Sequence, residues 1–475
     1  MQFPHPPQRD PERDPERDSK RDRHCDSQRP VLASLSRRKL LLASSIALAG
    51  GSMPAVWAQA APFAKPGAQG TGRLVVVLLR GAYDGLSAFV PYADADYHAG
   101  RPGIAVAVPD GTAKTALKLD NTFALHPALA PLMPLWQQGV LGVVPCAGLP
   151  VPNRSHFAAQ YELEIAQSGK TSAAPGWLNK AAGEHKTVVS AMGVGESNPA
   201  ILAGDAPVRL IPRGMAAGRT GVLANEKTRQ ALLDLYAGSD KVAEAFRQGA
   251  DSRLQSAQEL ANEKTQIDGQ RMGAKMAGTI AKDGTPQTAQ GQSAQMLAAS
   301  NGAPDPQGLQ LDAQHLGTLM RNDRQLRLGF LSAGGWDTHA NQGNVSGQLA
   351  NNLGNLGRAL VQLRQDFSAP GDVIVVMSEF GRTALENGTR GTDHGWGNAM
   401  WLLGNRINGG KWHGQWTGLA KGNLNEARDL PAHHDYRAVL AQVMRGSFGL
   451  SDSALASVFP NASWDNRLNE LAKRS

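Results

Sequence analysis

Five short clusters in this 475-residue chain carry the side chains that bind metals and anions. Arg80-Gly81-Ala82-Tyr83-Asp84-Gly85 offers a guanidinium and a carboxylate close together. Asn153-Arg154-Ser155-His156-Phe157 places a hydroxyl just ahead of a helical spacing of Phe157, Tyr161 and Ile165. Gly335-Trp336-Asp337-Thr338-His339, Ser378-Glu379-Phe380-Gly381-Arg382-Thr383 and Gly391-Thr392-Asp393-His394-Gly395-Trp396 add carboxylates, imidazoles and a second arginine. Asp, Glu and His are hard-to-borderline ligands that suit a divalent ion such as Zn²⁺ or Mn²⁺. An ion held by Asp337, His339, Asp393 and His394, with Asp84 and Glu379 adding carboxylates, would lower the pKa of a bound hydroxyl and hold a phosphoryl or sulfuryl oxygen. Ser155 falls at a helix N-terminus, where backbone N–H groups and the dipole favour an anion. It also suits a simple N-cap.

Other polar residues have plainer readings. Asp84-Gly85 is a common turn pair, and Arg80 can serve merely to pair with a carboxylate. His126, in Leu125-His126-Pro127, reads as a buried imidazole with its ring satisfied, and His433 and His434 as surface residues near the C-terminal helix. Cys146 reads as a small core residue, since no histidine is close in sequence.

The clusters follow apolar runs that can position them. Leu74–Leu79 is a continuous run rich in β-branched residues, as expected of a strand buried on both faces. Gly142–Val144, Val188–Met192, Leu328–Leu331 and Val373–Met377 are further candidate strands. Leu349, Leu353, Leu356, Leu360 and Leu363 recur at steps of four and three, a helical stripe that Pro370-Gly371 closes. Strands alternating with helices predict an α/β fold, a mostly parallel sheet covered on both faces, with ligands at the carboxyl ends of the strands. Residues 251–329 contain no Phe, Trp or Tyr and predict a helical insertion, about 225–315, as either a lid or a peripheral hairpin.

The N-terminus predicts export. Residues 1–35 are rich in Pro, Arg and Asp and read as disordered. Residues 36–60 read as a twin-arginine signal peptide: Arg37-Arg38 precede an apolar stretch, Leu40 to Gly51, and Ala58-Gln59-Ala60 resembles a cleavage site. That apolar stretch is short of the roughly 20 residues a membrane span needs. The mature part, residues 61–475, then forms one domain. Of the 48 Lys+Arg and 41 Asp+Glu, 10 and 7 lie in the first 60 residues, which leaves the mature part at +4. This mild balance gives no case for a nucleic-acid surface. With Cys25 removed, Cys146 is alone, so no intramolecular disulfide is expected. No integral membrane segment is expected after signal removal, and the predicted location is periplasmic or otherwise extracytoplasmic.

Taken together, the five clusters with Leu125-His126-Pro127-Ala128-Leu129 resemble the bacterial family called domain of unknown function 1501, over about residues 70–460. That resemblance implies an alkaline phosphatase-like sheet sandwiched between helices. It also implies one or two divalent ions on loops in a fixed chain order. On that order Asp84 resembles the first aspartate and Ser155 the nucleophile; Asp337 with His339 resembles the Asp–His pair and His394 the last histidine. Glu379 falls where an Asp-His-Gly motif would place its Asp, but Phe380 stands where the His would be, and phenylalanine binds no metal. In the alternative registration Asp393-His394-Gly395 is itself the Asp-His-Gly, Glu379 stands behind the ligands, and His433 or His434 supplies the last one. The first registration is preferred because Glu379 directly follows a strong strand.

The function these features predict is metal-dependent hydrolysis of a phosphate ester, less readily a sulfate ester, on a small-molecule or glycan substrate. Ser155 would attack, and Arg80 or Arg382 would steady the departing charge. The competing reading is a non-catalytic extracytoplasmic binding protein with a degenerate site. A carboxylic-ester hydrolase lacks its Gly-x-Ser-x-Gly elbow.

Overall fold

The computed structural model describes residues 72–169, 172–184, 190–276 and 293–473, with the side chains of 266–276 left out. The expected disordered extension, signal peptide and cleavage site lie outside the described residues.

An eight-stranded sheet forms the centre. Its strands are β1 (Leu74–Leu79), β2 (Leu141–Gly148), β3 (Ala191–Gly195), β4 (Val208–Pro212), β5 (Leu328–Ala333), β6 (Val373–Met377), β7 (Asn398–Gly404) and β8 (His434–Asp435). They lie in the order β8-β2-β7-β6-β1-β5-β3-β4. β1 pairs in parallel with β5 and β6, β3 with β4 and β5, and β8 with β2. β7 alone runs antiparallel, against both β2 and β6. The expected α/β sheet is therefore present, mostly parallel with one reversed strand.

β1 shows why an unbroken apolar run is needed here. Leu74, Val76 and Leu78 enter one core cluster while Val75, Val77 and Leu79 enter the other, so alternate residues feed opposite layers. The first layer is closed by α1 (His156–Ile165), α2 (Trp177–Gly183) and α6 (Tyr436–Phe448). The second is closed by α4 (Leu309–Asn322) and α5 (Gln348–Asp366). On α5 the five leucines of the sequence stripe are all fully buried. The helix ends at Asp366, capped by Phe367, four residues before the Pro370-Gly371 that was expected to close it.

The aromatic-free stretch contributes helices to the core. α3 (Lys241–Met276) adds Leu260 to the second layer, a short helix, Ala294–Ser300, buries Met296 and Ala299, and α4 buries Leu309, Ala313, Leu316, Leu319 and Met320 in the second layer. The candidate strand at Val188–Met192 is realised at Ala191–Gly195, with Val188 and Val189 outside the described residues. No helix among the described residues is long and apolar enough to cross a membrane.

Candidate metal centre

The carboxyl ends of β1, β2, β5 and β6 deliver the loops that carried the sequence clusters. β7 delivers His394 by the opposite route. Because β7 is antiparallel, its first residue, Asn398, lies at the edge where its parallel neighbours end, so the loop before it reaches the same site. Glycine lets these loops close on one another. A Cβ at Gly391 would lie 2.3 Å from the carbonyl carbon of His339, and one at Gly81, where φ is +110°, would lie 2.8 Å from the Asp337 nitrogen.

Four side chains converge there. Asp337 Oδ1 lies 2.9 Å from His339 Nε2 and 3.3 Å from both His156 Nε2 and His394 Nε2. His339 Nε2 and His394 Nε2 are 2.9 Å apart. Among the described residues His156, Asp337 and His394 form the group whose ligand atoms all lie within 4.8 Å of one another. A tetrahedral ion with bonds of ~2.0–2.1 Å separates its ligand atoms by ~3.4 Å, close to these spacings.

The other nitrogen of each ring fixes what Nε2 can do. His156 Nδ1 lies 2.8 Å from Glu379 Oε1, His339 Nδ1 lies 3.0 Å from Asp393 Oδ1, and His394 Nδ1 lies 2.8 Å from the carbonyl oxygen of Arg154. A carboxylate or carbonyl can only accept, so each Nδ1 must carry the proton. In the neutral ring each Nε2 then presents a lone pair toward Asp337. Backing of a histidine by a carboxylate or carbonyl is the arrangement that orients metal ligands.

Three lone pairs facing a carboxylate repel unless a cation sits among them. Two buried atoms fit that requirement: Asp337 Oδ2 and His156 Nε2 have no hydrogen-bond partner. His156 faces Asp337 Oδ1 at 3.3 Å, but not at a hydrogen-bonding angle. The residues present therefore fit a divalent ion held by His156, Asp337 and His394, with His339 Nε2 beside Asp337 and His394 as a further donor. Without an ion, a proton on His156 takes its place. Burial alone would lower the His156 pKa, but its bond to Glu379 and the charges of Glu379 and Asp337 outweigh burial and raise it to about 9. Asp337 is pushed up by burial yet held far below the usual carboxylate range by the three histidines and Arg382.

Glu379 is fully buried and stands behind the ligands rather than among them. Its Oε1 accepts from His156 Nδ1, the Gly81 amide at 2.8 Å and Gln160 Nε2 at 2.9 Å, and its Oε2 accepts from Ser378 Oγ at 2.9 Å. Asp393 is half-exposed and backs His339. Arg382 touches the centre: Nη2 donates to Asp337 Oδ1 at 2.6 Å and to the carbonyls of Gly81 and Trp336, while Nε and Nη1 of the buried guanidinium donate to those of Ala82 and Thr392. Phe380, which sits where a histidine was expected, packs its ring 4.9 Å from His156 and 5.0 Å from His394, centroid to centroid.

The structure places the remaining candidates elsewhere. The Asp84 carboxylate is buried and occupied by Arg101 at 2.6 Å, Ser87 at 2.6 Å and Gln342 at 2.8 Å. Burial pushes its pKa up, but Arg101 and these donors bring it below the ordinary value. Arg80 is buried with Glu164, Glu196 and Gln160. Ser155 is exposed as the N-cap of α1, and its side chain makes no capping hydrogen bond. His126 is satisfied by the Ala128 amide and the Asn344 carbonyl. His433 faces Thr417, and His434, expected at the surface, is buried between Asp465 and the Gln415 amide. Cys146 is buried, and burial pushes its thiol up to about 12.

His156 is the member of these four that the sequence alone does not single out. It stands beside Ser155, which drew the chemistry to itself. The available signal was an imidazole at the first position of a helix that follows a buried strand. Gln160, one turn further on, is buried and ties Glu379 to Arg80 and to the Ala299 carbonyl.

Among solved structures the chain is similar to the alkaline phosphatase of the Antarctic bacterium TAB5, at 9% identity over 72% of this chain and 94% of that one, with a TM-score of 0.32. A mutant of the same enzyme with Mg bound in its M3 site gives 10% identity, the same coverage and a TM-score of 0.31. Likeness this slight carries no argument about the site. No curated protein matches the sequence. The sequence does match, over residues 71–459, the family described as "Protein of unknown function (DUF1501)", and the chain belongs to that family.

Proposed function

We propose that this chain is an exported hydrolase of phosphate esters that works with a single divalent ion held by His156, Asp337 and His394, with His339 as a further donor. The observation that carries the reading is the convergence of three imidazole Nε2 atoms on Asp337, each with its Nδ1 held by an acceptor. A bound ion would polarise a phosphoryl oxygen and ease deprotonation of a hydroxyl beside it. Arg382 fixes Asp337, and Glu379, Asp393 and the Arg154 carbonyl fix the three rings. Ser155 supplies a hydroxyl free of capping duty, one residue before His156, at a helix end that favours an anion. The reading as a metal-bearing binding protein is favoured by one observation: the Arg80 and Arg382 guanidinium groups are both buried and occupied, so neither faces a reacting group.

The test is metal content of the purified protein together with turnover of chromogenic phosphate monoesters, phosphate diesters and sulfate esters. About one ion per chain, with phosphate-ester turnover lost in Ser155→Ala and His394→Ala, is the expected result. Metal without Ser155-dependent turnover supports the binding protein, and absence of metal overturns both readings. Export is tested by cell fractionation with Arg37 and Arg38 replaced together by Lys: retention in the cytoplasm is expected, and unchanged export refutes the twin-arginine route.

A further inference from the structure

Two arginines flank His394, and neither is accounted for by the metal centre. Arg154 gives its backbone carbonyl to His394 Nδ1, while Arg428 Nη2 donates to the His394 carbonyl at 3.0 Å. Both side chains lean on the buried Asp429: Arg154 Nη2 and Arg428 Nε each lie 3.1 Å from Asp429 Oδ1. One carboxylate oxygen shared by two guanidinium groups leaves donors over. Arg154 Nε is buried and lacks a hydrogen-bond partner, and Arg428 Nε meets Asp429 only as an ion pair without hydrogen-bonding geometry. The second negative charge comes from Glu426, whose Oε2 lies 2.8 Å from Arg154 Nη2.

That last pair differs from the rest. Arg154 is 30% exposed and Glu426 60% exposed, so water screens their attraction. Glu426 and Ala427 also both have positive φ, +51° and +53°, a conformation that L-residues with a Cβ adopt at a cost and that recurs at ligand clamps. A weakly held carboxylate on a strained turn thus occupies an arginine beside the nucleophile candidate and a metal ligand. A guanidinium with unused N–H groups is suited to donate to two oxygens of a tetrahedral oxyanion.

We propose that Arg154, seconded by Arg428, recognises the tetrahedral oxyanion of the substrate, and that Glu426 holds Arg154 until the anion displaces it. This rests on the hydrolase reading for its biological use, but it is measurable as binding alone. Inorganic phosphate and inorganic sulfate serve as probes on the metal-loaded chain, by calorimetry. Glu426→Gln is expected to tighten phosphate binding by about three- to fivefold, the most that an exposed pair of this kind holds. Arg154→Gln is expected to weaken it by about ten- to hundredfold, with Arg154→Lys in between. The backbone carbonyl behind His394 remains in all three. In the Arg154→Gln background, Glu426→Gln should gain nothing. Unchanged or weaker phosphate binding in Glu426→Gln overturns the proposal, as does a gain that persists without Arg154. The same pattern with sulfate supports it for both ester classes. The pattern without turnover of any ester leaves the inference standing and overturns the hydrolase reading alone.

Discussion

Replacing Glu379 by Gln tests whether the buried carboxylate exists to hold His156 ready for a metal. The substitution keeps the shape. An amide oxygen at the Oε1 position can still accept from His156 Nδ1, the Gly81 amide and Gln160, and the amide nitrogen then faces Ser378 Oγ. What disappears is the negative charge behind an imidazole whose other nitrogen faces Asp337. Carboxylates in this position typically contribute about 10–100-fold to metal affinity, which is about 1.4–2.7 kcal/mol. Zn²⁺ dissociation constants from competition with a chromophoric chelator should rise by that factor in Glu379→Gln. The unfolding temperature of the metal-free protein should also drop, because a protonated His156 loses the Glu379 charge beside it, so affinity and stability are read separately. If affinity stays within about threefold of the wild type, Glu379 does not act through His156, and the assignment of His156 as a ligand loses its physical basis.

Chelation gives a second prediction. Stripping the ion with a chelator should lower the unfolding temperature, and saturating Zn²⁺ should restore it in the wild type but not in His394→Ala, since a ligand that binds only the folded state stabilises it. The Arg80 cluster predicts a pH effect on stability. Burial raises the Glu164 pKa to about 7, against its pairing with Arg80, whereas an unfolded Glu titrates near ~4.3. A carboxyl whose folded pKa is raised stabilises the fold below its unfolded pKa and loses that contribution as pH rises toward 7. The loss is on the order of 3 kcal/mol. Urea unfolding at pH 5 and pH 7.5 should therefore show a smaller pH-dependent drop in Glu164→Gln, and an identical drop in both proteins would refute this. Gly391→Ala should force the loops of His339 and Asp393 apart, because the added Cβ meets backbone at 2.3 Å. Destabilisation of about 1–3 kcal/mol is expected, with weakened metal binding seen in the same competition assay.

The fold and the site differ in how far the sequence exposed them. β1, β5 and β6 were legible because strands buried on both faces must be apolar without interruption, and such runs stand out. β7 contains no β-branched residue, and nothing in its sequence marks its reversed direction. That reversal is what brings His394 to the edge of the sheet, and its absence from the reading is why Asp393-His394 looked detached from any strand. Asp337, His339 and His394 were named from residue type, from their place in loops beside predicted strands and from the family resemblance. His156 was passed over because a helix N-cap beside it offered a simpler role. Asp84 looked available because its partner, Arg101, lies in a separate turn of chain with no local sign that the two meet. Ion pairing between distant segments is decided by packing, and sequence spacing carries no trace of it.

The antiparallel strand has a consequence for how this site can change. β6 and β7 are neighbours running in opposite directions, so residues 378–397 form a long hairpin connection with both ends fixed on one rim. A connection between parallel strands must cross the sheet and usually needs a helix. This one starts and finishes in the same place. It carries Glu379, Arg382, Asp393 and His394 as one cassette. Its tip, residues 388–390, is its only run of consecutive exposed residues, so residues added there need rethread no strand and leave the cassette and the sheet beneath in place.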